Sequence, residues 1–447
     1  MKQLSILLIL VVGIFGCKKS EEKSAGGTSD HPKKSTVSPM DNTLTQTGKP
    51  VMTVAPVMKP ASVSQGPAVP PAAMANGPAK PLSPMHQGAP GVFKVSVPKK
   101  APTRGQIMKF VQHNNLFAMR YLRGSGKKDE NVVFSPFSLR WAFSMIYPGA
   151  GGITSSEIKR VLEFLSPGGA IHPINRSLGK FLTGKHAGAT FTMGSQLKIS
   201  NMTLGPAYLA FLKKFYGPTV SDGKNARQVL DVISQVHFTG KWAQGFDPLA
   251  TMDRPFYVKG TSPRQVRTMM ATSRFKLAQA GNFDALILPY KGGKFEMVIL
   301  LPKKRDGVDQ LVDALQKKTV GSLSFVTSRV RVLLPRFTIS QSVACDATLQ
   351  KMGVRKAYDE RDAEFNAIYP GLYIQKVIQE VKVQVEEKGT RAQAKTTIRM
   401  ATMGVGDMIG FGPMPRVILF KVDHPFVFMI RDTKYHSVLF LGRITTL

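Results

Sequence analysis

Helices and an antiparallel sheet in one large domain, residues 105–447, are what this sequence predicts, and three observations predict it. The segment IMKFVQHNNLFAMRYLR (107–123) keeps Met108, Val111, Leu116, Phe117 and Leu122 near one helical face. VISQVHFT (232–239) and VIQEVKVQVE (377–386) alternate instead with period two. Their rows Val232, Ser234, Val236, Phe238 and Val377, Gln379, Val381, Val383, Val385 are mainly apolar, and the intervening rows are mainly polar, as in an antiparallel sheet with one face in water. Finally, 43% of the 447 residues are hydrophobic, enough for a sizeable core, but they are unevenly spread.

The unevenness begins at the N-terminus. Met1-Lys2 is followed by an apolar run over 4–14 and then by Ile14-Phe15-Gly16-Cys17. The run falls short of the roughly 20 residues that span a bilayer. Residues 1–16 therefore read as an export signal, and its ending is similar to a bacterial lipobox. Cys17 would then carry a lipid, holding the chain on a membrane as an exported, extracytoplasmic lipoprotein that faces the periplasm or the cell surface. Residues 17–104 are rich in Pro, Ala, Ser and Lys without any period, the composition of a disordered tether. Acylation of Cys17 leaves Cys345 as the other of two cysteines, so no intramolecular disulfide is expected. Cys345 itself is expected to be a buried, inert thiol.

The formal charge is +33, from 61 basic and 28 acidic residues. Such an excess favours a polyanion or an acidic partner on the surface. The basic residues are scattered and lack an aromatic stacking platform, so no specific nucleic acid is expected. His86, His113, His172, His186, His237, His424 and His436 show neither metal-ligand nor Ser-His-Asp spacing. No metal, no cofactor and no catalytic residues are expected, and the chain is not read as an enzyme. His237 reads as a solvated strand residue and His424, in DHPF, as a structural one.

Asn131 opens a short strand, and Ser135-Pro136 starts a helix with proline at an early position. VVFSPFS (132–138), followed by GAGGITSSEI (149–158), resembles the serpins, a family of protease inhibitors. The resemblance continues through FTGKWAQGFDPLATMDRPFYV (238–258), LILPYKGGKFEMVILLPKK (286–304), VRVLLPRFTISQSVACDATLQKMGV (330–354) and VDHPFVFMIRD (422–432), and covers nearly all of 105–447. It implies a large α+β fold with a helical N-terminal half, a large central sheet, further sheets and an exposed reactive-centre loop. It also implies a monomeric suicide inhibitor of serine, or alternatively cysteine, endopeptidases. A protease cleaves the loop, is trapped as a covalent acyl complex, and the loop inserts into the main sheet. A non-inhibitory surface binding protein, whose loop is a plain protease substrate, is the alternative.

Site residues follow from the same resemblance. Glu387, Gly389, Thr390, Ala392, Ala394 and Thr396 form the hinge, whose small residues recur at every second position as an inserting strand requires. Counting about 17 residues on from Glu387, as in the family, puts the reactive bond at Met403-Gly404. Ser135, Ser138, Ser234 and Gln379 match the gate beneath the sheet, with Ser234 and Gln379 standing where the family usually has Asn and His. Trp242 matches the family's tryptophan at the loop's entry point. One element is short of room. The family lays a long helix across the main sheet between the segments here ending at Val220 and starting at Asp231. Only about ten residues join them, two or three helical turns at most, so that covering helix should be missing.

Overall fold

The computed structural model describes residues 92–126, 129–164, 168–258, 261–317, 320–390 and 416–447. Signal residues 1–16, Cys17, Ala392, Ala394, Thr396 and the Met403-Gly404 bond lie outside the described residues.

Four of the helices lie in the N-terminal part: α1 (Arg104–Gly124), α2 (Pro136–Ile146), α3 (Gly152–Val161) and α4 (Ile171–Leu182), followed by α5 (Pro206–Phe215), α6 (Val308–Lys317) and α7 (Asp346–Met352). Helix α1 starts where Thr103 and Gln106 cap each other's backbone N–H groups. Helix α2 starts at Ser135, whose hydroxyl accepts the Ser138 N–H, with Pro136 in the first turn. It is buried at all of its positions, including Arg140. That guanidinium stacks 4.3 Å from the Phe110 ring and donates to the carbonyls of Leu162, Phe110 and Glu163. Burial lowers its pKa to about 9.

The strands are β1 (Val132–Phe134), β2 (Gly184–His186), β3 (Ala189–Ser200), β4 (Thr219–Asp222), β5 (Val229–Lys241), β6 (Met252–Val258), β7 (Ser262–Gln279) and β8 (Phe283–Pro289). They continue as β9 (Phe295–Pro302), β10 (Val326–Pro335), β11 (Phe337–Ala344), β12 (Tyr373–Glu386), β13 (Gly389–Thr390), β14 (Ile418–Lys421), β15 (Phe426–Asp432) and β16 (Val438–Ile444). A nine-stranded sheet runs β1-β16-β15-β9-β8-β7-β10-β14, with β6 on β7. A seven-stranded sheet runs β11-β12-β13-β5-β3-β2, with β4 on β3, and β12 also pairs directly with β5.

The predicted gap in the fold is present. Between α5 and β5 the chain forms only β4, parallel to β3, and no helix lies among residues 216–228. Accordingly β5 and β12 alternate buried and more exposed positions, and His237 stands exposed on the wet row. The folded body also begins earlier than a tether ending at residue 104 would allow. Phe93 packs 4.9 Å from the Tyr208 ring and 5.1 Å from Phe211, and Val95 and Val97 lie against the same core. Hydrophobic residues spaced two apart in this stretch, Phe93, Val95 and Val97, pack on the core, which its prolines and lysines obscured in the sequence.

Candidate functional site: a forked sheet, its gate and its hinge

Strands β5 and β12 are parallel neighbours from Val229 opposite Tyr373 to His237 opposite Lys382. Beyond that point they part, and β13 occupies the fork. Its two residues pair antiparallel with both walls: Gly389 with Glu386 and Lys241, Thr390 with Val385 and Gly240. The hinge therefore already sits as the first rung of a strand between β12 and β5. Thr390 is 1% exposed, and its hydroxyl shares a 2.8 Å hydrogen bond with the Tyr290 hydroxyl. Burial pushes the pKa of that Tyr290 hydroxyl well above its ordinary value, so it stays protonated.

Glycine at 389 is dictated by the site. Its φ of +145° is one that side-chain-bearing residues rarely adopt. A Cβ there would stand 1.9 Å from the Gly240 carbonyl oxygen. The approach to the hinge is fixed by the segment around Trp242. The Trp242 indole N–H donates to the Glu386 carbonyl at 2.9 Å, and its backbone N–H to the Lys388 carbonyl at 3.1 Å. Its ring stacks on Tyr290 at 4.6 Å. Phe246 N–H donates to the Glu387 carbonyl, Thr251 Oγ1 donates to Glu387 Oε1 at 2.9 Å, and Arg336 lies 3.7 Å from both Glu386 and Glu387 carboxylates. Both glutamates are thus held by named partners on neighbouring elements.

Beneath the closed part of the sheet the four gate residues meet, all buried. Ser135 N–H donates to Gln379 Oε1 at 2.6 Å, and Gln379 Nε2 donates to the Ser135 carbonyl at 3.0 Å and to Ser234 Oγ at 3.4 Å. One carboxamide thereby satisfies both backbone groups of Ser135, the residue whose side chain caps α2. A carboxamide does not titrate, so the crosslink between sheet and helix holds its donor and acceptor at any moderate pH. Ser138 contributes its backbone N–H, while its hydroxyl has no hydrogen-bond partner among the described residues.

Of the residues singled out in the sequence, Glu387, Gly389, Thr390 and Trp242 come together at the fork, and Ser135, Ser138, Ser234 and Gln379 come together beneath the sheet. Tyr290, Thr251, Arg336 and Gly240 were not singled out. They come from elements distant in sequence, and only the aromatic Tyr290 within LILPYKGG carries any local signal. Away from the site, Cys345 is buried and its thiol is pushed up to about 12 by burial, which leaves it unreactive. His424 bridges Asp423 and the Pro302 carbonyl as a structural residue.

A forked sheet, the short strand β13 seated in the fork and a buried polar cluster beneath it make up the site, and comparison with known proteins gives the family. The family model "Serpin (serine protease inhibitor)" matches residues 112–228 and 219–447. The chain belongs to the serpin family. Leukocyte elastase inhibitor A of Mus musculus is 28% identical over 381 residues, 74% of this chain and 97% of that protein. An uncharacterized serpin-like protein of Methanosarcina acetivorans is 26% identical over 378 residues, 74% of this chain and 84% of that one. Among solved structures, the thermophilic serpin tengpin in its native state superposes with a TM-score of 0.68 at 18% identity, over 80% of this chain and 97% of tengpin. Uncleaved ovalbumin gives 0.64 at 20%, over 77% of this chain and 100% of ovalbumin. These structures share the fold. Relatives in the family are mostly protease inhibitors, and some serpin folds are non-inhibitory.

Proposed function

We propose that the chain is a suicide inhibitor of serine endopeptidases, acting from the outer side of a membrane to which Cys17 anchors it. The observation that carries this reading is the seated hinge: Gly389 and Thr390 occupy a slot between two parallel strands whose antiparallel filling strand has yet to be extended. A parallel pair that parts to admit an antiparallel strand between its members gains a ladder on both sides. It also buries the small inward residues of the loop. The protease supplies the nucleophile. Its serine attacks the loop carbonyl, at Met403 on the spacing argument, releases the amine of Gly404, and is left esterified to the loop. Insertion then carries the acyl enzyme away from the water that would deacylate it. Methionine at that position suits proteases with apolar specificity pockets, and the surplus of basic residues suits a polyanion partner.

The test mixes the full-length chain with chymotrypsin, elastase, subtilisin and trypsin. Inhibition predicts a complex of summed mass that survives SDS, and sequencing the released C-terminal fragment locates the bond. Cleavage with no complex for any of the four would replace this reading by that of a surface binding protein whose loop is merely a substrate.

A further inference from the structure

Among the surplus cations, four are set together by strand register in the nine-stranded sheet. Arg329 on β10 stands directly opposite Arg274 on β7. The next rungs on the same face put Arg331 opposite Thr272 and Lys276 opposite Thr327, and all six residues are exposed. Arg331 Nε donates to Thr272 Oγ1 at 3.4 Å. None of the four cations pairs with a carboxylate among the described residues.

Like charges directly opposite on a ladder, with Cβ atoms about 5 Å apart, destabilise the pair. The Arg274–Arg329 rung therefore costs the free chain stability that an acidic partner would return. What borders the rung indicates the partner. Strand β14 closes this end of the sheet, and Leu419 on it lies beside Arg331 with 59% of its surface exposed. Val417, at the foot of the same strand, is 37% exposed. The chain enters β14 directly from the loop segment that follows Thr390. At a strand spacing of about 4.8 Å, Arg329 and Arg331 stand one strand from that foot, and Arg274 stands two. A compact block of charge bordered by aliphatic side chains matches the mixed surface of a folded protein. A linear polyanion spreads its charges along a track of cations instead.

We propose that the Arg274–Arg329 rung, with Arg331, Lys276 and the flanking Leu419, is a docking surface for an acidic patch on the body of the target protease. The inference rests on the inhibitor reading above and adds to it a determinant of which protease is trapped fastest. Charges at the rim of an encounter act chiefly on the association rate and its salt dependence. The four cations thus select proteases with an acidic surface while leaving the hinge and the gate untouched.

Four forms of the full-length chain test this: the natural sequence, Arg274→Glu, Arg329→Glu, and Lys213→Glu, which makes the same change in net charge at an exposed position of α5. Each is mixed with a protease that the natural chain traps, unmodified and after succinylation, which turns surface lysines into carboxylates. The second-order rate of SDS-stable complex formation is measured from low salt to about 1 M, where the screening length is about 3 Å. At low salt the natural chain and Lys213→Glu should trap the succinylated protease roughly tenfold faster than the unmodified one. Arg274→Glu and Arg329→Glu should each forfeit most of that gain, and the difference should vanish at high salt. Each reversal also turns a like-charged rung into an opposite pair, so the thermal midpoint of the uncleaved chain should hold or rise. A fall in midpoint would make the rung structural and overturn the docking role. An equal loss of rate in Lys213→Glu would assign the effect to diffuse net charge and overturn it too. Unchanged rates in both arginine variants would overturn the surface alone, and lost binding of dextran sulfate by those variants would then give the patch to a polyanion. A natural chain that traps none of the four proteases named above would overturn the inhibitor reading, and this surface with it.

Discussion

The two sheets of this molecule solve opposite problems. In the nine-stranded sheet, β9, β15 and β16 are buried at every position, so both faces are core. In the seven-stranded sheet, β5 and β12 keep one row buried and leave the other in water. A sheet buried on both faces cannot change its neighbours without exposing apolar surface on two sides. A sheet wet on one face loses far less when two of its strands part, and here the strands that part are joined by a parallel ladder already open at one end. The difference separates a sheet buried on both faces from one with a face in water within a single fold.

The sharpest way to break the contrast is to damage each sheet in turn. Phe428→Ala removes a fully buried ring of the nine-stranded sheet, 5.5 Å from the Phe337 ring. It should cost about 3–5 kcal/mol in denaturant unfolding, equally before and after loop cleavage. Gln379→Ala acts on the seven-stranded sheet instead. It strips the buried Ser135 N–H of its partner and leaves the Ser135 carbonyl with the Leu139 N–H, at about 1–3 kcal/mol for the unsatisfied N–H. Because the same carboxamide ties the sheet to α2, this variant should also speed conversion of the uncleaved chain to a loop-inserted form, measured as loss of inhibitory activity on warming.

A smaller effect tests the aromatic cluster under α4 and α5. His172 is buried against Phe211, Phe215 and Tyr216, and burial pushes its pKa down to about 3. A base whose folded pKa lies below its unfolded value near 6.5 favours the unfolded chain once that chain takes up the proton. Its contribution is complete above about pH 6.5 and is lost as pH falls, by about 2 kcal/mol at pH 5. His172→Phe should flatten that part of the stability–pH curve. Smallest is Trp242→Phe, which keeps an aromatic ring beside Tyr290 but forfeits the indole bond to the Glu386 carbonyl. About 1 kcal/mol is expected, read as a lower midpoint of the uncleaved chain.

What was legible in the sequence follows the same division. Alternation is local, so the wet and dry rows of β5 and β12 could be read directly, and the shortness of the segment before Asp231 announced the missing helix. The gate residues could be placed by resemblance. The way Gln379 spans both backbone groups of Ser135 could not, since 244 residues separate them. Nor could the contacts of Tyr290, Thr251 and Arg336 with the hinge, which depend on how distant elements meet. Phe93 was hidden differently: its neighbours are prolines, glycines and lysines, and only the packing of its ring on Tyr208 and Phe211 marks it as core.

The central claim is that the slot between β12 and β5 accepts the chain that follows Thr390. Thermal unfolding of the full-length chain before and after a single cut within 400–415 tests it most directly, with Gly389→Val, which cannot seat the hinge, alongside. The account predicts a large rise in midpoint for the natural sequence and little or none for Gly389→Val. A cut natural chain that melts at the same temperature as the intact one, or lower, would contradict it.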